Sequence, residues 1–508
     1  MKLIKEIFIN VTAGSTRIAI IENGILNDLF IELPEHQRMV GSIYKGRIQN
    51  VIPGMQAAFI DIGHDINAFL PFSEMGNDEN MKQFSFSDDN EKVVRNKKKF
   101  DPAKDLKKND EILVQVIKEP FSGKGPRVTT DISLPGSFMV LVPNIDYIGI
   151  SRKISDKYEK RRLRRIVNEF KPKGFGIIIR TISQGKNNTL LKSDFDRLWN
   201  QWNQLTDEID KIEAPNLAYD DFVTSDQVIR DLFAPNINKI YIDDKPLYKR
   251  IYGYVKEVNP EEIEKIELRK NKGYIFDEHN IEEQIRKSLQ KKVWLKCGGH
   301  LVIEHTEAMV VVDVNSGRFI GKKDHEQNSL KINIEAAREV AHQLRLRDIG
   351  GLIVIDFIDL QEEKNRRKVF EELRNHLKKD RAKVSLSEFS NFGLLEMTRQ
   401  RTRLSLLYTV CNECPECNGL GLVYSYDTVL TNLENWLKKF KSKHRDKRLV
   451  INMNSNVSDY ITKNKSKIIT GMMWSNWTFL TIKGDDNISL NDFKVFSKKR
   501  NQYVTDQV

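Results

Sequence analysis

At 508 residues the chain is too long for one ordinary hydrophobic core, so several domains are expected. Its 40% hydrophobic and 30% charged residues exclude a disordered chain, and four cysteines exclude a disulfide-stapled secreted scaffold, which points to a reducing cytoplasmic setting. A formal net charge of +11 favours an anionic partner, nucleic acid first, although a merely solvated basic surface gives the same number. The opening MKLIKEIFINVTAGSTRIAII is broken by Lys5, Glu6, Asn10 and Thr12, so it lacks the apolar core of a signal peptide. No run of about 18 uncharged apolar residues predicts a membrane span.

Residues 3–33 alternate apolar and polar in short bursts and predict an antiparallel meander with a turn near Asn23-Gly24. From Ile43 the strands IYKGRIQNVI, QAAFIDIG, NAFLPF and EILVQVIKE follow closely, punctuated by Gly46, Pro53-Gly54 and Gly63. Such spacing predicts a small closed barrel. It is interrupted over 76–110 by a polar stretch with Lys97, Lys98 and Lys99, read as a basic loop. A mixed region follows over 136–225: strand MVLVP, the basic helix KYEKRRLRRIVNEF and strand GIIIRT, with αβ alternation and strand KIYID over 226–290. Strand LVIEH, strand AMVVVDV, a helix across 327–347 and strand GLIVIDFIDL then form a βαβ pattern. Ile334, Ala337, Ala341 and Leu344 share one face of that helix, and Gly350-Gly351 is expected to stop it. Residues 422–508 read as a small αβ unit carrying the basic run KKFKSKHRDKR.

Asp313 ends the run MVVV and Asp356 ends LIVI. In a parallel βαβ unit both would lie at the carboxyl ends of neighbouring strands, where open α/β sheets place their sites. Two close carboxylates repel unless a cation joins them, and an oxygen-only, shallow site suits Mg²⁺. Such an ion can polarise a phosphodiester and orient a water. Asn315 shares the face of Asp313, and Asp359 is a weaker candidate. The bland alternative, two ordinary strand-end caps, stands beside this one.

An open barrel of this kind binds single strands by stacking bases on aromatics beside a basic groove. Phe59 and Phe69 fall on adjacent strands, with Tyr44, Lys45 and Lys124 near in pattern, although a lone Phe in a small barrel is more often core. Cys411, Cys414 and Cys417 form C-x₂-C-x₂-C, a knuckle suited to Zn²⁺, which wants four ligands. Cys297 lies 114 residues before Cys411, so a second chain or a non-cysteine ligand must complete the set. A redox CxxC pair is the alternative, without its usual thioredoxin-like setting.

The stretches IYKGRI, PGMQAAFIDIG, KGPRVTTDISLPG, TEAMVVVDVNSG, NIEAAREVAHQLRLRDIGGLIVIDFIDL, NFGLLEMTRQRTR and CNECPEC together resemble the RNase E/RNase G endoribonucleases, strongly across 1–420 and weakly beyond. The resemblance implies an α/β multidomain fold. An RNase H-like domain (1–38 and 226–290) is split by an S1 barrel of the OB-fold type (39–135) and a 5′-sensor domain (136–225). A DNase I-like catalytic domain (291–402), a zinc-link (403–421) and a small C-terminal αβ domain (422–508) come next. It further implies that Asp313 and Asp356 hold the catalytic Mg²⁺ with support from Asn315, and that hydrolysis leaves a 5′-phosphate and a 3′-hydroxyl. Phe59, Phe69 and Lys124 would contact single-stranded RNA, and Gly136, Val140, Arg180 and Thr181 would receive a 5′-monophosphate. Cys414 and Cys417 would share Zn²⁺ with the same pair of a second subunit, making a homodimer, with tetramers left open.

Three departures matter. Lys383 stands where the family often has Arg, so bidentate phosphate contact is lost and sensing is expected to be weaker. The insertion over 76–110 either widens the RNA footprint or is only a loop. The chain ends soon after its small domain, so the RNase G branch, which processes ribosomal RNA precursors and cuts AU-rich messages, is the nearer resemblance. The rival readings are a non-catalytic RNA-binding or ribosome-assembly protein and a membrane-tethered degradosome scaffold.

Overall fold

The computed structural model describes residues 4–33, 39–75, 102–120, 124–220, 237–258, 260–269, 274–317, 325–401 and 403–507. The first strands, β1 (Lys5–Val11), β2 (Thr16–Glu22) and β3 (Ile25–Glu32), form the expected antiparallel meander. Asn23 and Gly24 turn between β2 and β3 with φ of 52° and 82°, the doubly positive geometry of a two-residue hairpin loop. This sheet is covered on both faces. Ile7, Ile9, Ile18 and Ile20 pack into one core, while Phe8, Ala19 and Ile21 pack into another.

The barrel consists of β4 (Ile43–Ile52), β5 (Ala57–Asp61), β6 (Ala68–Pro71), β7 (Glu111–Lys118) and β8 (Arg127–Thr129). They run in the order β4-β5-β6-β8-β7, and β7 returns to pair with β4, closing the ring. Ile48, Ala58, Ile60, Ala68, Leu70, Val114, Val116 and Val128 fill it. Of the basic insertion, 76–101 lies outside the described residues.

A second sheet follows, with order β11-β12-β10-β9. Its strands are β9 (Leu134–Pro135), β10 (Met139–Pro143), β11 (Tyr147–Ile150) and β12 (Phe175–Ile179). The short β11, only four residues long, was not among the expected strands. Helix α1 (Lys157–Phe170), capped by the Asp156 carboxylate, and α2 (Asn188–Ile209) share one core with it. The very basic α1 still presents Leu163, Ile166 and Val167 inward, so its charges are the solvated face of an amphipathic helix. Strand β13 (Asn216–Tyr219) then joins the barrel against β4. Strand β14 (Lys239–Ile242), helix α3 (Lys245–Val258) and β15 (Ile266–Leu268) return to the first sheet, β14 lying parallel to β1.

The third sheet has the order β16-β17-β18-β19-β21-β20. It comprises β16 (Lys292–Trp294), β17 (His300–His305), β18 (Met309–Asn315), β19 (Gly351–Asp356), β20 (Val384–Phe389) and β21 (Leu394–Arg399). Helices α4 (His325–Leu346) and α5 (Glu363–Leu377) cover one face, burying Val312, Val314, Ile353 and Ile355 against Ala337, Leu344, Val369 and Leu373. The other face carries the alternate residues. One expectation needs correcting: α4 ends at Leu346, before the glycine pair. Asp348, at φ 50°, makes the reversal, and the Ile349 N–H donates back to the Leu344 carbonyl at 3.0 Å. Gly350 serves packing instead, because a Cβ there would lie 2.6 Å from the Arg401 side chain.

The chain divides into two compact units between Thr409 and Val410. The second contains α6 (Tyr426–Lys443), β22 (Arg448–Met453), α7 (Ser455–Asn464), α8 (Ser466–Ser475), β23 (Phe479–Gly484), β24 (Phe493–Ser497) and β25 (Gln502–Tyr503). Its sheet runs β23-β22-β24-β25 over a core of Leu433, Leu437, Phe440, Leu449, Ile451 and Val495. Among the described residues no helix is long and apolar enough to cross a membrane.

Candidate active site

Because β18 and β19 are parallel neighbours joined by α4, their residues stand side by side, and Asp313 is paired in register with Asp356. Strand alternation puts both on the face the helices leave uncovered, and both are exposed. The Asn315 amide donates to an Asp313 carboxylate oxygen at 2.7 Å. Partial burial, and then the charges of Asp313 and Asp359, push the Asp356 carboxyl above its usual range. Asp359 lines the same cavity, of about 470 Å³, with Asp313, Asn315, Asp356, His325 and Asn328.

These residues fit a magnesium ion by their chemistry. The donors are hard oxygens, the acids repel one another as they stand, and an amide fixes one of them. Among the described residues no three His, Cys, Asp or Glu side chains form a ready-made metal cage. Mg²⁺ does not require one, since one or two carboxylates with several waters suffice.

Three neighbours were missed by reading the sequence. Asn333, fully buried on α4, donates to the Ile358 carbonyl at 2.7 Å and accepts from the Ile358 N–H at 3.1 Å. It thereby fixes the turn that carries Asp356 and Asp359. His300 on β17 pairs in register with Asn315, and Trp294 on β16 pairs with His300, their rings 5.2 Å apart. Burial and then Lys292 lower the His300 pKa, against the pull of Asp313.

On the barrel, Phe59 and Phe69 are opposite each other in register, half-buried, with ring centroids 5.8 Å apart at 62°. Their neighbours Ala58, Ile60, Ala68 and Leu70 point inward, so the two rings lie on the outer surface. Lys124 is exposed, and its segment lies against β6, where the Phe69 N–H donates to the Pro126 carbonyl at 2.8 Å. A Cβ on Gly125 would come within 1.9 Å of the Asn67 carbonyl oxygen, so glycine alone permits that approach. Tyr44 and Lys45 are not part of this surface. Burial, then Asp220 and Glu119, push the Tyr44 phenol up to about 12. Lys45 is spent on the Ile209 and Ile212 carbonyls and on Glu111.

Val140, Arg180 and Thr181 line a cavity of about 870 Å³, together with Ser151, Lys118 and Arg127. The Arg180 guanidinium donates to the Gly136 carbonyl at 2.8 Å, and Thr181 and Ser151 share a hydroxyl bond of 2.7 Å. Gly136 is behind the wall, where a Cβ would lie 2.6 Å from the Asp194 carboxylate. That buried carboxylate, also unforeseen, accepts from the backbone of Ser137, Phe138 and Met139 and shapes the loop. Lys383 is exposed and off the cavity wall, reaching it through the Gln400 N–H, which donates to its carbonyl at 2.9 Å.

In the second unit Cys411 and Cys414 are exposed and Cys417 is half-buried. Hydrogen bonds from the backbone of Cys417 and Glu416, then from the Cys417 side chain, hold the Cys414 thiol below its usual pKa. Three thiols leave one position of a tetrahedral site to a non-cysteine ligand or a second chain.

Residues 133–402 match the Ribonuclease E/G family, and residues 37–127 match the S1 RNA binding domain. Ribonuclease G of Escherichia coli strain K12 is 39% identical over 430 residues, 84% of this chain and 85% of that one. Ribonuclease G of Haemophilus influenzae is 36% identical over 467 residues, 91% and 92% of the two chains. Ribonuclease E of Haemophilus influenzae is 33% identical over 505 residues, 99% of this chain but 53% of its own length. A family match that takes in both aspartates, Asn315 and the Val140, Arg180 and Thr181 cavity, with relatives aligned over most of both lengths, establishes that this chain belongs to the ribonuclease E/G family.

Proposed function

We propose that the chain is an endoribonuclease that hydrolyses single-stranded, AU-rich RNA with Mg²⁺ held by Asp313 and Asp356. The observation that supports this most is the in-register pair of carboxylates on the uncovered face of the third sheet. Bound there, the cation would polarise the scissile phosphoryl group and lower the pKa of an attacking water. Asn315 keeps the Asp313 carboxylate aimed, and Asn333 keeps the Asp356–Asp359 turn in place. Phe59 and Phe69 stack bases, while Lys124 meets the phosphate backbone. The cavity around Val140, Arg180 and Thr181, shaped from behind by Gly136, receives a 5′-monophosphate. Lys383 stands off the cavity wall where the family often has an arginine, so the preference for that end is modest.

Cleavage leaves a 5′-phosphate and a 3′-hydroxyl, and the cellular work is ribosomal RNA processing and messenger decay in the cytoplasm. In finer terms, the first sheet is the RNase H-like domain split by the barrel and sensor, and the third sheet is the DNase I-like domain. The cysteine knuckle is a zinc-link shared between two subunits through Cys414 and Cys417.

The test is cleavage of a 5′-monophosphorylated AU-rich oligonucleotide by wild type, Asp313→Asn and Asp356→Asn in the presence of Mg²⁺. Each substitution is expected to lower kcat/KM by about a thousandfold or more, roughly 4 kcal/mol of transition-state stabilisation. Undiminished cutting by either variant removes the site assignment. Tight binding with no cutting by the wild type turns the conclusion to a non-catalytic RNA-binding or ribosome-assembly protein.

A further inference from the structure

The sheet of the second unit has a second face, which none of its helices covers. Leu449, Ile451, Met453, Leu480 and Val495 point into the core, so the alternate residues of the same strands point away from it. Register places them in rows. Thr481, Val450, Phe496 and Tyr503 lie across the middle of the sheet, and Lys483, Asn452 and Lys494 form the row beside it. Phe479 and Arg448 form the row on the other side. Phe479 is 70% exposed and Tyr503 56%, and the Phe496 and Tyr503 rings meet edge to face at 5.5 Å. The Asn452 amide donates to the Tyr503 hydroxyl at 3.2 Å, which steadies that ring. Trp477, 83% exposed, stands two residues before Phe479.

Three aromatics and three cations therefore share one open face, and the rows place no carboxylate among them. The basic run KKFKSKHRDKR ends on this face at Arg448. We propose that this sheet is a second single-strand RNA platform, in which Phe479, Phe496 and Tyr503 stack bases while Arg448, Lys483 and Lys494 contact phosphates. A four-stranded sheet with aromatics on its open face is a recurrent solution for holding unpaired bases. Stacking accepts any base, and the cations supply the affinity that carries no sequence preference. A second copy of this chain is the poorer occupant, because pairing the face with itself opposes like charges. The inference rests on the RNA-cleaving function proposed above and adds a binding surface remote in sequence from the barrel.

The test uses the full chain and a 5′-hydroxyl U₁₂ RNA without added Mg²⁺, with photo-crosslinking and fluorescence anisotropy. Crosslinks are expected in peptides spanning 479–503, and Phe479→Ala/Tyr503→Ala should weaken binding roughly thirtyfold, the scale of two lost stacking contacts. The charge variant Arg448→Gln/Lys483→Gln/Lys494→Gln should reduce the slope of log affinity against log salt by about 2. Circular dichroism checks that both variants stay folded, and Phe59→Ala/Phe69→Ala is the barrel control. Wild-type binding by both sheet variants, with loss only in the barrel control, overturns the platform and leaves the RNA function standing. A change in sedimentation of the sheet variants with unchanged RNA binding also overturns it, making the face an interface between copies. If all three variants bind as wild type, the platform is overturned, whereas a wild type that fails to bind the RNA at all brings down the RNA function itself.

Discussion

Arg399 sits at the end of β21 with 4% of its side chain exposed, between Asp380 at 2.7 Å and Asp348 at 2.8 Å, both equally hidden. Asp348 also accepts from Arg403, and the Arg399 Nη1 that donates to Asp348 also donates to the Ile349 carbonyl at 3.0 Å. The cluster ties the end of β21 to the reversal after α4. Removing one partner leaves buried charge without compensation, so Arg399→Ala should lower unfolding free energy by about 3–5 kcal/mol. Urea denaturation measures this, and a loss below 1 kcal/mol would contradict the assignment. His342 on α4 is a second linkage. Its ring faces two acceptors, the Leu26 carbonyl at 2.7 Å and Glu339 at 3.2 Å, which suits the doubly protonated form. Burial opposes that charge, but Glu339 and the Leu26 carbonyl outweigh it and raise the pKa above 6.5. A raised folded-state pKa gives stability that is complete below 6.5 and is lost as pH climbs through the higher folded value. Glu339 is held below its usual 4.5, so its share fades instead as pH falls through its folded value. The contact of α4 with β3 is therefore firmest between those limits. His342→Gln should flatten the decline of the melting temperature above pH 6.5, and an unchanged decline would assign it to other groups.

At the scale of the element, much was legible. Alternating and continuous β-branched runs gave the meander, the barrel and the βαβ unit, and a parallel crossover was enough to bring Asp313 beside Asp356. The pairing of Phe59 with Phe69 followed from adjacent strands in the same way. What escaped was set by contacts distant in sequence. Nothing around Lys45 says that its ammonium will be absorbed by carbonyls 164 and 167 residues later, and nothing around Asn333 points to Ile358. His300 and Trp294 join the site only through the register of β16 and β17, which the sequence leaves open. Glycines mislead where they serve close approach, as Gly350 does against Arg401. Gly125 makes the same point testable. Gly125→Ala would drive a Cβ into the Asn67 carbonyl and pry the Lys124 segment off β6, at a cost of about 1–3 kcal/mol. The expected result is a lower melting temperature together with weaker RNA binding; weaker binding at full stability would mean that Lys124 moved without strain.

For the whole molecule, the proposed zinc-link makes the oligomeric state a test. The zinc-link proposed above would take Cys414 and Cys417 from each of two copies, and both thiols are free and solvent-accessible. Cys414→Ser/Cys417→Ser should therefore sediment as a monomer and release bound zinc, while a dimer of unchanged mass and no zinc in the wild type would remove the link.

The return of β14 to β1 sets a timetable for biosynthesis. The Lys5 N–H finds its acceptor on Asn238, 233 residues further along, and the Asn10 amide waits for Asp243 over the same interval. The N-terminal hairpin thus leaves the ribosome with one edge bare and stays so while the barrel and the layer after it emerge and fold. Translation order and assembly order differ: the first strands made are completed only after the barrel and the layer behind it have been synthesised. The barrel and the layer after it are thus spelled out between two halves of one sheet, a long-range closure that slows the pairing of β1 with β14.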